Sequence, residues 1–208
     1  MEVRAIAIST YTELLTAAGN WLSRTDLTSR IPEFVTLAQA RINRQVRAQA
    51  METKSASFSI TGEYVNVPSD FIEARNFYIT STNPDVVLRY MPPDAMTDLY
   101  PSDNTDQPGY YSVIGTQFRF SPSPSSSYTA TLIYYAKPAT FVASTQETNS
   151  LFPANADLYL YATLIEASAF IRDDRVELWK AGYDEALHFL NKSSNNSRFG
   201  GSMAARPG

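Results

Sequence analysis

Apolar residues recur at helical spacing at both ends of this chain and at strand spacing in its middle, and any fold it adopts must respect that switch of period. Thr10 followed by Glu13 has the form of a capping box, in which each side chain satisfies an orphan amide at a helix start. Tyr11, Leu14, Leu15, Ala18 and Leu22 then share one helical face, and residues 26–29 supply a turn. Pro32 opens a second predicted helix, at a position where its missing N–H is not needed. Phe34, Val35, Ala38, Ile42 and Val46 line that helix to about Ala50, and the two helices are expected to form a hairpin.

The C-terminal part returns to helix. Leu158, Ala162, Ile165 and Ala169 form one stripe, while Leu160, Leu164 and Phe170 make the other side apolar too. A helix that is apolar nearly all round must be buried on more than one side. Asp174, with Glu177 three residues on, is expected to cap the last helix, whose apolar face is Val176, Trp179, Tyr183, Ala186, Leu187 and Leu190.

The middle reads as β. Residues 55–60 and 63–67 flank Thr61-Gly62 as an expected hairpin, and residues 73–79 and 86–90 are further strands. Pro92-Pro93 starts a short helical turn over residues 94–99. Residues 110–114 and 117–121 flank Gly115-Thr116, a pair suited to a type II′ turn. Residues 127–136, rich in tyrosine and β-branched side chains, are the strongest strand. The expectation is an α+β fold in one domain, 1–208. A helical bundle made from N-terminal and C-terminal helix pairs carries an inserted antiparallel β region and an extended C-terminal arm. The boundaries are a helical pair at 1–52, a β-rich insert at 53–145, a second helical pair at 151–192 and the arm at 193–208.

Composition narrows the chemistry. Of 208 residues 44% are hydrophobic and mean hydropathy is -0.24, as in a protein with a substantial core. No apolar run approaches the length of a membrane span. There is no cysteine and only one histidine, so disulfides, thiolate chemistry and His/Cys metal sites are excluded by counting, and no cofactor is expected. His188 follows Asp184 by four residues, the spacing of a helix-surface pair rather than of a catalytic base. Glu63, Asp70 and Glu73 are close enough along the chain to suggest a carboxylate-based glycoside hydrolase, yet acids at turns have ready structural roles, so no catalytic residue is assigned. The net charge of -4 and a pI of about 5.0 argue against gripping a phosphate backbone by bulk electrostatics.

Three further features point to partners. Arg41, Arg44 and Arg47 recur at three-residue spacing and could face a phosphate backbone, acids of a neighbouring subunit or only solvent; the acidic balance favours the inter-subunit reading, in which Trp179 and Tyr183 join them. Tyr110-Tyr111 and Tyr134-Tyr135 point to both faces of their strands, which in a single sheet would leave half of them exposed or buried against another copy. Beyond Leu190 the sequence NKSSNNSRFGGSMAARPG has no apolar period, so it is expected not to fold alone, either as a frayed end or as an arm that orders on a partner.

The segments ARINRQVRAQA, VNVPSDFIEARNFYI and LFPANADLYLYATLIEASAFIRDDRVELWKAGYDEAL resemble the head-to-tail adaptor (connector) proteins of short-tailed bacteriophages, the tail tubular protein A group and its relatives, over roughly residues 10–195. The resemblance implies a structural virion protein, made in the host cytoplasm and placed at the head–tail junction. It implies a homo-oligomeric ring, usually of twelve copies, beneath the portal protein ring. That ring would extend the channel through which double-stranded DNA passes without specific binding, and would meet tail nozzle or fibre proteins. It also implies a portal-binding arm, here with Phe199 and Met203 as apolar anchors and Arg198 and Arg206 as ionic ones. Two rivals are a carbohydrate-binding tail module using tyrosines of the β region and a wall hydrolase using Glu63, Asp70 and Glu73.

Overall fold

The two periods separate in space. In the computed structural model, which describes residues 8–55, 57–99 and 105–199 with side chains to residue 196, one compact unit comes from the two ends of the chain and the other from Glu52–Lys137. The fold is mixed α+β, with helix pairs at both termini and an inserted β region.

The helical unit consists of α1 (Tyr11–Leu22), α2 (Ile31–Gln45), α4 (Ala156–Ile171) and α5 (Val176–Phe199), while a short α3 (Pro93–Leu99) belongs to the other unit. α4 packs against α1, α2 and α5 together. That position explains its all-round apolarity: Leu158, Tyr159, Leu160, Leu164 and Ile165 are all buried. Full burial of each large side chain stabilises by roughly 1.5–3 kcal/mol. Its buried hydroxyls are satisfied locally, Thr163 donating to the Tyr159 carbonyl and Ser168 to that of Leu164, both at 2.7 Å. Burial ends before the helix does, and Ala169 and Phe170 are exposed.

The start of α1 is held twice. Thr10 and Glu13 form the expected capping box. The remaining orphan amides go to Glu147, whose backbone carbonyl accepts from Tyr11 N at 2.7 Å and whose carboxylate accepts from Thr12 N at 2.8 Å and Ser144 N at 2.6 Å. The amides of Ser144 and Thr12 hold the Glu147 carboxyl below its usual range. Beside it, Tyr11 stacks on Phe141, which packs edge-on against Phe152 and Tyr159. Asn149 threads this cluster. Its Oδ1 accepts from Leu151 N at 3.0 Å and Phe152 N at 2.9 Å, and its Nδ2 donates to the Ala139 carbonyl at 3.2 Å. Burial pushes the neighbouring Tyr159 phenol up to about 12.

Several expected boundaries move. α2 ends at Gln45 rather than near Ala50: Val46 is extended, and Arg47 Nη1 donates to the carbonyls of Asn43 at 2.9 Å and Val46 at 2.6 Å, closing the helix. At the start of α5 the carboxylate turned to the backbone is that of Asp173, which accepts from Arg175 N at 2.9 Å, not that of Asp174. α5 does not stop at Leu190 but continues to Phe199. Ser194, buried in that extension, accepts from Gln49 N at 2.9 Å, so tertiary contact sustains helix through a stretch of poor helix formers.

The β unit is built from two facing sheets. The first runs β1 (Glu52–Lys54), β11 (Tyr128–Ala136), β4 (Phe71–Ile79), β5 (Val86–Val87), with β2 (Phe58–Ile60) also pairing β11. The second runs β3 (Tyr64–Asn66), β9 (Gln117–Ser121), β8 (Tyr110–Ile114), β6 (Arg89–Tyr90). A parallel pair of two-residue strands, β7 (Thr105–Asp106) and β10 (Ser123–Pro124), adjoins them. Phe58, Phe77, Phe118 and Phe120 pack ring to ring in the core. β8 and β9 form the expected hairpin, with Gly115 at φ 60°. The predicted hairpin around Thr61-Gly62 is not one: β2 pairs β11 and β3 pairs β9, so this link crosses between sheets. The single strand expected over residues 86–90 likewise splits, and Leu88 turns into the core where the chain changes sheet. Tyr111 and Tyr134 are buried in the core of this unit, and Tyr135, outside that cluster, is buried with Arg75 over its ring at 5.7 Å.

Asn149→Ala orphans two backbone amides, each worth about 1–3 kcal/mol when buried; thermal unfolding should show a loss of roughly 2–4 kcal/mol, by the same principle. The lowered carboxyl of Glu147 stabilises the fold fully above its unfolded value of about 4.3 and loses that contribution as pH falls through the folded value. Glu147→Gln should therefore lower Tm at neutral pH and flatten its fall on acidification; curves that stay parallel to wild type would contradict the clamp.

Candidate assembly surfaces

The arginine row resolves into three different situations. Arg41 donates through Nε at 2.8 Å and Nη2 at 2.6 Å to Glu166 Oε1, tying α2 to α4 within the chain. Arg47 closes α2 as described. Arg44 alone of the three is exposed. Trp179 and Tyr183 face inward: Trp179 lies 5.5 Å from the Trp21 ring, and Tyr183 donates to Gln45 Oε1 at 2.5 Å, burial raising its phenol. Arg175 stacks over Trp179, pairs with Asp173 at 2.7 Å and donates to the Trp21 carbonyl, so it joins the end of α1 to the start of α5. The residues expected at a subunit contact thus mostly hold the helical unit together, because the same side chains that suit an interface suit a helix–helix seam.

The carboxylates weighed for hydrolysis also have structural partners. Glu63 pairs with the buried Arg119 at 2.8 Å, and Arg119 also donates to Thr97. Asp70 accepts from the Tyr134 hydroxyl at 3.0 Å, and burial with that bond pushes the phenol up to about 12. Glu73 lies on the exposed part of β4. His188 is exposed on α5, its ring 6.0 Å from that of Phe189. Among the described residues no cluster of three or more His, Asp or Glu could hold a metal ion, and no helix is long and apolar enough to cross a membrane. Of the expected portal-binding residues, Arg198 and Phe199 belong to α5 by backbone, and Met203 and Arg206 lie outside the described residues.

Sequence reasoning missed the large apolar side chains left exposed on the helical unit. Along α2 and its N-cap, Arg30, Phe34, Leu37, Arg41 and Arg44 follow a four–three spacing. Phe34 meets Phe170 of α4 at 5.7 Å, Arg30 lies over the Phe170 ring at 5.1 Å, and Arg41 holds Glu166. Leu37 falls between Phe34 and Arg41 in that spacing and is 52% exposed, and Phe170 of α4 is 54% exposed. At the other end of α4 is a cleft of about 380 Å³ whose lining mixes Ala48, Ala50, Ala154, Ala186 and the 57% exposed Phe189 with the polar Gln49, Asn155, Asp157, Ser193 and Ser194. The signal was present in the four–three spacing, but nothing in sequence separates residues facing solvent from residues facing a neighbour.

α5 approaches α4 closely at Gly182, where a Cβ would stand 2.8 Å from the Tyr161 ring. The arginines should separate by role. Arg41→Ala leaves the half-buried Glu166 without its charged donor and should cost about 1–3 kcal/mol, whereas Arg44→Ala should stay within about 0.5 kcal/mol of wild type in denaturant unfolding.

Residues 9–206 match the model of the SU10 adaptor protein family. That is nearly the whole chain, and the chain belongs to this family, in agreement with the resemblance to phage head-to-tail adaptors. A search of curated proteins found no match.

Proposed function

We propose, from membership of the SU10 adaptor protein family, that this chain is the structural joint between a phage capsid and its tail. The observation that carries the reading is the family match over residues 9–206. Copies form a ring beneath the portal ring, extend the DNA channel and offer a platform to nozzle or fibre proteins. The role is mechanical rather than enzymatic, and the location is the head–tail junction of the virion. A net charge of -4 suits a channel past which DNA slides without adhering.

Portal binding is assigned to the end of the chain, with Arg198, Phe199, Met203 and Arg206 as anchors. The continuation of α5 to Phe199 changes where a deletion must fall. Cutting after Leu190 removes Ser194 and its bond to Gln49, so it damages the helical unit as well as the arm. Cutting after Phe199 leaves that bond in place.

Native mass measurement of the protein with its cognate portal ring tests the reading. Full-length protein should load the portal in ring stoichiometry, and the chain ending at Phe199, which keeps Arg198 and Phe199 but lacks Met203 and Arg206, should keep its Tm while loading the portal more weakly. Equal loading by both would retain the adaptor and remove Met203 and Arg206 as anchors; loading by neither would overturn the adaptor reading.

A further inference from the structure

We propose that the helical unit joins its neighbour head to tail, the exposed Leu37 and Phe170 of one copy seating in the cleft beside Ala154 and Ala186 of the next. The inference rests on the ring reading above and names the surfaces that would make that ring.

Both surfaces belong to the same unit, and they cannot meet within one chain. Phe170 is at the C-terminal end of α4 and the cleft is at its N-terminal end. Fourteen residues of helix from Ala156 to Phe170 separate them by about 21 Å. A contact between two different patches is heterologous, and it generates rings when the rotation closes. A contact of one patch with itself would stop at a dimer, by the same principle.

Shape favours the pairing. Exposed phenylalanine and leucine side chains stand at one end, and at the other is a cleft of about 380 Å³ lined by four alanines together with polar side chains such as Asn155 and Ser193. A few side chains that fill well-packed, desolvated pockets carry most of the binding energy of an interface. Charge agrees. Arg30 and Arg44 flank Leu37 along α2 and its N-cap, and Asp157 lines the cleft, all exposed. Arg30 shares its charge with Glu33 at 3.6 Å, so Arg44 is the freer cation of the two. Rim charges of this kind steer and register a contact more than they strengthen it.

Two variants divide the contact. Leu37→Glu with Phe170→Glu removes the apolar pair, and Ala154→Trp fills the cleft from an exposed position. Each should keep the wild-type Tm within a few degrees and weaken self-association at least about tenfold, the loss expected for one buried anchor. Leu37→Glu alone serves if Phe170→Glu disturbs Phe34. Mixed in equal amounts, the two variants should form a one-to-one dimer that grows no further, since one keeps only a working cleft and the other only a working apolar pair. Wild-type rings with both variants also forming rings would overturn the pairing and leave the ring reading intact. If Ala154→Trp assembles normally while a chain ending at Phe199 does not, the chain's own terminal segment is the relevant contact and the pairing is overturned. Absence of any wild-type ring, free or on the portal, would overturn the ring reading itself.

Discussion

A helix with no polar side has to be enclosed, and α4 is that helix. Its burial on several faces requires partners from both ends of the chain: α1 and α2 come from before the β insert, and α5 from after it. The insert can therefore fold as its own compact unit without breaking the helical one. The seams around α4 are finished by specific polar contacts. Arg41 with Glu166 joins α2, Arg175 joins α1 to α5, and Gly182 lets α5 approach Tyr161.

The segment leading into α4 does more than connect. Glu147 satisfies amides of α1 that are remote in sequence, and Asn149 satisfies the amides that turn the chain into Phe152. Tyr11, Phe141, Phe152 and Tyr159 close the apolar space between them. A buried backbone amide without a partner is costly, so these two side chains fix the loop's path as firmly as a regular element would.

Much of this was legible in order of residues. The capping box at Thr10, the proline start of α2, the enclosed character of α4 and the turn at Gly115 are local signals, and the structure shows each of them. What failed was non-local. A Thr-Gly link looks the same whether it folds a hairpin or passes between sheets, and only the pairing of Phe58 and Val65 with distant strands decides it. Residues 191–199 look unfit for helix until Ser194 finds Gln49. Trp179, Tyr183 and Arg41 looked like interface residues because seams within a chain and between chains use the same chemistry. The exposed Leu37 and Phe170 and the cleft needed coordinates, since exposure is not written in period or composition.

Membership of the SU10 adaptor protein family points to a phage adaptor role, and the proposed pairing joins two unlike ends of the helical unit. The most direct measurement uses the absence of cysteine from the sequence. A chain carrying Leu37→Cys and Ala154→Cys, oxidised at assembling concentration, has only the introduced thiols to link. The account predicts a ladder of covalent multimers from the double variant and no covalent dimers from either single variant. Dimers from Leu37→Cys alone, or rings in native mass without any ladder, would contradict it.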